Sequence, residues 1–235
     1  MEMLGQIKIG NVTEEILDYL WALRRPLTDI GGIKPTRLYT HRANVQHENE
    51  MEFRKLKQKE YVIEAIDSGT ISTSPTHTRQ LVGSELDNYF FTNLQSYKTL
   101  RLKEGAQVML LKNVDASSKL ANGSRGVVVG FQQYGLEELL ATATENDRRV
   151  FLTYFRQHCD KEKQKVTLPC VRYLSSSGEP MITRTVLPSS WTQTSYLSKG
   201  KQTLERVQLP LALACKSPSF ASYFPSIADP IKQGP

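Results

Sequence analysis

The clearest periodicity in the chain is the alternation of apolar and polar positions across LRLKEGAQVMLLKN, residues 100–113, with a break at Gly105. A period of two predicts a β-strand. The dipeptide Asn122-Gly123 favours the positive φ angles of a tight hairpin turn, and residues 127–131 predict the returning strand. The pattern therefore predicts a small twisted β unit with a basic edge formed by Lys103, Lys112 and Arg125.

Two amphipathic segments upstream predict helices. Asn11 is placed to cap the first, with Glu14 reaching back from the third helical position, and Pro26 is expected to end it. Its apolar stripe is Ile16, Leu17, Leu20 and Leu23. The second helix is expected over residues 44–60, between short strands at 37–40 and 61–67, and this order resembles a βαβ unit.

The other segments are assigned from their composition and spacing. Residues 1–10 are interpreted as a strand stub, 68–80 as a Ser/Thr/Gly-rich loop, and 79–95 as a helix. Further strands are expected at 166–174 and 181–187. The four prolines and missing periodicity of residues 215–235 predict a disordered tail.

Composition limits the classes of protein that fit. The 235 residues are sufficient for one large or two small domains, and 39% hydrophobic content is ordinary for a globular protein. The net charge of +6 is compatible with a polyanionic partner. Cys159, Cys170 and Cys215 lack CxxC spacing, which favours free thiols in a reducing compartment over a disulfide framework or a zinc site. No apolar run approaches the ~20 residues of a membrane span, and no targeting signal is recognisable at the first residues.

The sequence contains no complete phosphate-binding loop. Gly5 and Gly10 have the spacing of such a loop, but Asn11 and Val12 occupy the positions where lysine and Ser/Thr are required. No apolar strand ends in the paired acids that hold magnesium. The sequence therefore predicts no catalytic residue, no metal site and no ATP turnover by this chain.

Four ordered blocks carry a resemblance to a known family. They are IKIGNVTEEILDYLWALRRPL (7–27), PTRLYTHRANVQHENEMEFRKL (35–56), GAQVMLLKN with NGSRGVVVGF (105–131), and the downstream pair LPCVRY (168–173) and ERVQLPLALA (205–214). These blocks resemble the Pif family of superfamily-one 5′-to-3′ DNA helicases, in the family's order and over about two-thirds of the chain. The family uses ATP and magnesium, and it acts in DNA repair, recombination and telomere maintenance.

The resemblance implies an α/β fold, a partial RecA-like motor domain with an inserted small SH3-like β-barrel. Residues 1–99 would hold a lead-in helix and the first part of the second RecA-like domain, 100–191 the SH3-like 2B insertion, and 192–214 the return to the motor domain. Residues 132–165 exceed the family's shorter connection and are expected to be a lineage-specific insertion, partly helical or mobile. The likeness stops after Ala214, where an IHKSQG-like run is expected, as in a truncated gene copy, a misread exon junction or a frameshift.

The resemblance and the basic edge together give the candidate DNA contacts, since lysine, arginine and asparagine are common phosphate ligands. They are Thr40, His41, Arg42, Asn49, Lys103, Lys112, Asn113, Asn122, Arg125, Arg206 and Gln208. Structural alternatives stay open for several of them. Asn49 could bridge packed elements, Lys103 and Lys112 could be solvated strand-edge charges, and Asn122 could serve the turn alone.

Three functions are compatible with these features. The leading hypothesis is a helicase fragment that binds single-stranded or forked DNA without ATPase activity, with the other motor domain supplied by the full-length protein. The alternatives are a non-enzymatic SH3-like protein-interaction module and a non-functional truncated copy. The resemblance implies a nuclear or mitochondrial location.

Overall fold

The computed structural model describes residues 2–24, 29–34, 37–39, 42–74, 76–86, 89–113, 120–174, 181–198, 200–214 and 216–218. The helices are α1 (Glu2–Lys8), α2 (Glu14–Ala22), α3 (Arg42–Lys55), α4 (Tyr89–Asn93), α5 (Leu136–Ala141) and α6 (Arg148–His158), with a short 3-10 helix at Gly83–Leu86. The strands up to the hairpin are β1 (Arg37–Tyr39), β2 (Tyr61–Glu64), β3 (Ile66–Ser74), β4 (His77–Gln80), β5 (Thr99–Leu102), β6 (Gln107–Leu110) and β7 (Arg125–Tyr134). The later strands are β8 (Val166–Tyr173), β9 (Ile182–Thr185), β10 (Ser189–Leu197), β11 (Gly200–Gln208), β12 (Leu211–Leu213) and β13 (Lys216–Pro218).

Two larger antiparallel sheets organise the described strands. One has the order β12-β6-β7-β8-β9 and the other the order β10-β11-β3-β4. Strands β2 and β5 form a separate antiparallel pair, and β1 pairs in parallel with β13. The fold is therefore mixed α/β, as expected, with mainly antiparallel pairing among the described residues.

The predicted antiparallel pairing of β6 with β7 is confirmed, but the tight turn expected at Asn122-Gly123 is wrong: residues 111–124 separate the two strands, and Asn122 does not have a positive φ. Gly123 has a φ of 92°, and β6 and β7 pair with Val108 opposite Gly126. The five-stranded sheet that contains this hairpin is open, because β12 and β9 lie at its two ends. A closed SH3-like barrel is thus not seen in the described part of the chain, and the predicted domain boundaries stay a prediction.

The segment 132–165, which was expected to be an insertion, is an integral part of the core. It contains α5 and α6, and α6 buries Val150, Phe151, Tyr154 and Phe155 in one cluster with the strand residues Val128 and Leu168. Arg149 on α6 forms two hydrogen bonds to Glu205 on β11, of 2.7 and 2.5 Å. The expectation of partial helicity is therefore confirmed, and packing and ion pairing fix α6 against the sheets.

Several assignments made near the amino terminus are wrong. Residues 2–8 form a helix and not a strand stub. Thr13 caps α2, since its Oγ1 accepts a hydrogen bond from Ile16 N at 3.4 Å, and Asn11 lies two positions too early for that contact. The helix ends at Ala22, whereas Pro26 lies outside the described residues.

The region between α3 and the hairpin also differs from its prediction. Helix α3 ends at Lys55, and the strand expected at 61–67 is split at Ala65 into β2 and β3. Strand β1 pairs with β13, and β2 pairs antiparallel with β5. The two strands that flank α3 therefore lie in different sheets and do not form the expected βαβ unit.

The loop expected at 68–80 is wrong, because this segment forms most of the β3–β4 hairpin. Strand β3 also pairs with β11, which extends the hairpin into a sheet. The helix expected at 79–95 is interrupted: Arg79 pairs with Ile71 in that hairpin, and Gly83 has a φ of 57°. The tail expected at 215–235 lies outside the described residues except for 216–218 in β13.

Candidate nucleic-acid interface

The turn between β6 and β7 brings together four of the candidate DNA contacts, Lys112, Asn113, Asn122 and Arg125. We call residues 111–113 and 120–125 the hairpin tip. Its backbone is held by hydrogen bonds from Asn122 N to Asn113 Oδ1 and from Gly123 N to Leu110 O, both 2.8 Å. Asn113 and Asn122 are exposed, and Arg125 is half-buried. Each asparagine thus has a structural role in the turn while it stays open to solvent.

Lys112 connects the hairpin tip to β10. Its Nζ donates a hydrogen bond to Ser190 O and lies 5.1 Å from the ring centroid of Trp191. Burial lowers the pKa of the Lys112 ammonium, and the carboxylate of Asp147 partly opposes this shift. The lysine is therefore partly desolvated, and its charge lies beside an aromatic ring at the base of the tip.

Lys103 lies at the carboxyl end of α3. Its Nζ donates a hydrogen bond of 3.0 Å to Leu56 O and lies 4.6 Å from the ring centroid of Phe53. A cation at this end of a helix is favoured by the helix dipole. Arg101 binds Glu50 and Glu60 next to it. Hydrogen bonds from Arg54 and then from Arg101 lower the pKa of Glu50, and the hydrogen bond from Arg101 lowers that of Glu60. Lys103 thus belongs to a network that joins α3 to β5.

Three other candidates are buried and bonded inside the protein. Asn49 is 6% exposed, and its Nδ2 donates to Leu213 O at 3.2 Å. Gln208 is fully buried, donates from Nε2 to Ile63 O at 3.0 Å, and accepts from Leu209 N at 2.8 Å. Arg206 is 3% exposed and binds Asp67. These positions hold chain segments together, and their side chains present little surface to a ligand.

The remaining candidates cannot be placed. Thr40 and His41 lie outside the described residues, as does the side chain of Arg42, whose backbone begins α3. The candidates predicted from sequence are therefore divided between the hairpin tip, the end of α3 and the buried interior. Among the described candidates, those of the tip are the group that the fold brings together at a surface.

An aromatic pair that was not among the candidates lies beside the end of α3. Tyr61 and Phe131 stack with ring centroids 3.8 Å apart, and Lys59 Nζ lies 5.1 Å from the Tyr61 centroid. The alternation of Lys57 and Lys59 with Tyr61, which begins β2, is the sequence signal that could have identified Tyr61 as a candidate. Phe131 is distant in sequence, so its contact with Tyr61 could not be found from spacing.

No group of three or more His, Cys, Asp or Glu residues that could hold a metal ion occurs in the part of the chain that the structure describes. Cys159 and Cys170 are free thiols, as predicted. A cleft of about 220 Å³ lies between α3 and β5, with Gln46, Asn49, Tyr97 and Arg101 in its lining. This volume is below the ~300 Å³ at which small-molecule sites usually begin. None of the described helices is long and apolar enough to cross a membrane.

Comparison with known proteins identifies the family. A family model described as "DNA helicase Pif1, 2B domain" matches residues 85–131, which include the whole hairpin tip. The human ATP-dependent DNA helicase PIF1 is 31% identical over 214 residues, and its zebrafish (Danio rerio) counterpart is 30% identical over 217. These alignments cover 91% and 92% of this chain but only 25% and 29% of the two relatives, so the chain spans between a quarter and a third of their length.

A solved structure supports the same relationship. The crystal structure of Pif1 helicase from Candida albicans matches 92% of this chain and 43% of that protein, with 27% identity and a TM-score of 0.60. The sequence blocks, the 2B-domain match and the shared fold agree with one another. The chain therefore belongs to the Pif1 family of DNA helicases and corresponds to a segment that includes the family's 2B region.

Proposed function

We propose that this chain is a DNA-binding segment of an ATP-dependent 5′-to-3′ helicase of the Pif1 family, and that it binds single-stranded DNA through the hairpin tip. One observation carries the proposal. The residues that match the 2B-domain model contain a surface cluster in which Asn113 and Asn122 are exposed and Lys112 and Arg125 are half-buried. The relatives that cover this segment are named as DNA helicases.

The chemistry of the tip suits a phosphate backbone. Ammonium, guanidinium and amide groups donate hydrogen bonds to phosphate oxygens without reading the base sequence. Such contacts release counterions, so affinity should fall steeply as salt rises. The alternative function, recognition of a peptide or partner protein, does not require that salt dependence.

The experiment measures binding of the full chain to a fluorescein-labelled dT16 strand by anisotropy at several salt concentrations. The Lys112→Gln/Arg125→Gln variant should bind more weakly. The slope of the logarithm of its binding constant against the logarithm of salt concentration should be smaller in magnitude by roughly one for each phosphate that the variant no longer binds. The matched control is Lys161→Gln/Lys163→Gln, in the exposed turn between α6 and β8. Affinity independent of salt, or equally weakened binding by both double variants, would contradict the proposal.

We also propose that the isolated chain does not hydrolyse ATP, although the family uses ATP and magnesium. The Gly5–Gly10 segment supports this, because Gly5 lies within α1 and Gly10 in the turn that follows, whereas a phosphate-binding loop precedes its helix. ATP turnover with single-stranded DNA present should equal the background rate. Turnover that disappears when a residue of this chain is substituted would overturn this part of the proposal.

The cellular role follows from the family. We propose that the full-length protein acts on single-stranded or forked DNA in repair, recombination and telomere maintenance, in the nucleus or the mitochondrion, with the first motor domain supplied by the rest of that protein. Fractionation of cells that express the tagged full-length protein tests the compartment. Recovery in neither organelle would contradict this role.

A further inference from the structure

The stacked pair of Tyr61 and Phe131 joins two parts of the fold at the surface. Tyr61 begins β2 and Phe131 lies in β7, and their ring planes are inclined by 23°. Both residues are only half-buried. Phe131 stacks on the Tyr61 ring with centroids 3.8 Å apart, and the Lys59 ammonium lies over the same ring, 5.1 Å from its centroid. A cation over an aromatic face marks a surface that a planar group can also occupy.

The charges around this ring are unevenly neutralised. Arg54 pairs with Glu50, and Lys55 pairs with Glu52. Glu60, the acid next to Tyr61, is held by Arg101. Lys57 and Lys59 are exposed, and neither forms an ion pair with another residue that the structure describes. Glu50, Glu52 and Glu60 are thus engaged by other cations, while Lys57 and Lys59 stay available to an anion.

We propose that the face of Tyr61 that does not stack on Phe131 binds a base of single-stranded DNA, and that the base displaces the Lys59 ammonium from the ring so that Lys57 and Lys59 contact the adjacent phosphates. This rests on the proposed function and adds a second contact point to it. A positive surface with aromatic rings is the usual means by which proteins bind single strands without sequence preference. Duplex DNA does not fit this contact, because its base faces are covered by neighbouring bases.

The position of Phe131 allows a continuous path between the two contact points. Phe131 follows Arg125 of the hairpin tip by six residues along β7, which corresponds to about 20 Å at the rise of a β-strand. A strand of several nucleotides can span that distance. The phosphate contacts of the tip and the base contact of Tyr61 would then belong to one binding surface.

The experiment compares labelled dT16 with an abasic deoxyribose-phosphate strand of the same length, using the full chain. Wild type should prefer dT16 at least about 5-fold, the equivalent of about 1 kcal/mol for one stacked base. Tyr61→Leu keeps an apolar side chain on Phe131 and should abolish the preference, whereas Tyr61→Phe should retain it. The matched control is Tyr89→Leu, which replaces a tyrosine that is 81% exposed on α4.

The lysines and the hairpin tip give separable outcomes. Lys57→Gln/Lys59→Gln and the tip variants should weaken binding to both strands and leave the dT16 preference in place. A preference that survives in Tyr61→Leu overturns the stacking contact alone, as does wild-type binding without any preference. Failure of wild type to bind either strand overturns the proposed function as well.

A second measurement covers the case in which Tyr61→Leu does not fold. Wild-type chain irradiated with a 5-iodouracil-containing strand should cross-link at Tyr61. Cross-links confined to other residues would overturn the inference.

Discussion

Arg206 and Asp67 occupy paired positions on the neighbouring strands β11 and β3, and their side chains form two hydrogen bonds of 2.6 Å each. The remaining guanidinium nitrogen donates to Ser96 O at 2.8 Å and to Phe91 O at 3.3 Å. One buried arginine therefore holds two strands and the segment after α4 together.

Removal of this arginine should destabilise the fold. Arg206→Leu leaves the Asp67 carboxylate and two carbonyl oxygens without their donor, and the expected cost is about 3–5 kcal/mol in the free energy of unfolding. Urea denaturation measures it. Asp67→Leu combined with Arg206→Leu should recover part of that stability, and Arg184→Leu on the exposed edge strand β9 should change stability by less than about 0.5 kcal/mol. A destabilisation no greater than that of the control would show that the pair is not structural.

Helix α6 should be required for the core and not merely attached to it. Phe151 is 2% exposed among strand residues, so Phe151→Ala should cost about 3–5 kcal/mol through reduced burial and the cavity left behind. The exposed Arg156 on the same helix is the control, and Arg156→Ala should be nearly neutral. Equal urea midpoints for the two variants would indicate that the sheets fold independently of the insertion.

His158 should make stability depend on pH. It ends α6 with its ring 4.4 Å from that of Tyr154, and its Nε2 is buried without a hydrogen-bond partner among the described residues. Burial lowers the pKa of His158 below 6.5, although a hydrogen bond with the Glu64 backbone and the Glu64 charge oppose the shift. The folded state therefore favours the neutral ring.

The sign of the effect follows from that shift. As pH falls below 6.5 the unfolded chain takes up a proton first, so stability should decline until the pH passes the lowered pKa. His158→Phe should remove this component, seen as a smaller difference between unfolding free energies at about pH 7.5 and about pH 5.5. An unchanged difference would exclude His158 as its source.

Local features of the fold could be predicted from sequence, while contacts between distant segments could not. The pairing of β6 with β7 follows from the alternation of apolar and polar positions, and the positive φ of Gly123 follows from the backbone freedom of glycine. The β3 segment resembles a loop because Ser68, Gly69 and Thr70 are weak local signals, and its strand form depends on pairing with the distant β11.

The candidate site shows the same division. Lys112 and Arg125 were identified because charge at a hairpin edge can be recognised directly in the sequence. Arg206 and Gln208 were predicted to be DNA contacts from the resemblance, and their internal partners Asp67 and Ile63 could not be foreseen because they are far away in the chain. The fold shows that both side chains are buried and bonded to other parts of the chain.

The hairpin tip should be the part of the chain that contacts single-stranded DNA, and hydrogen–deuterium exchange of the full chain with and without dT16 tests this most directly. Amides at 120–125 should exchange more slowly in the presence of DNA, while those of β11 around Arg206 should not change. Slowed exchange elsewhere with an unaffected tip, at a DNA concentration that saturates the chain, would contradict a DNA-binding role for the tip.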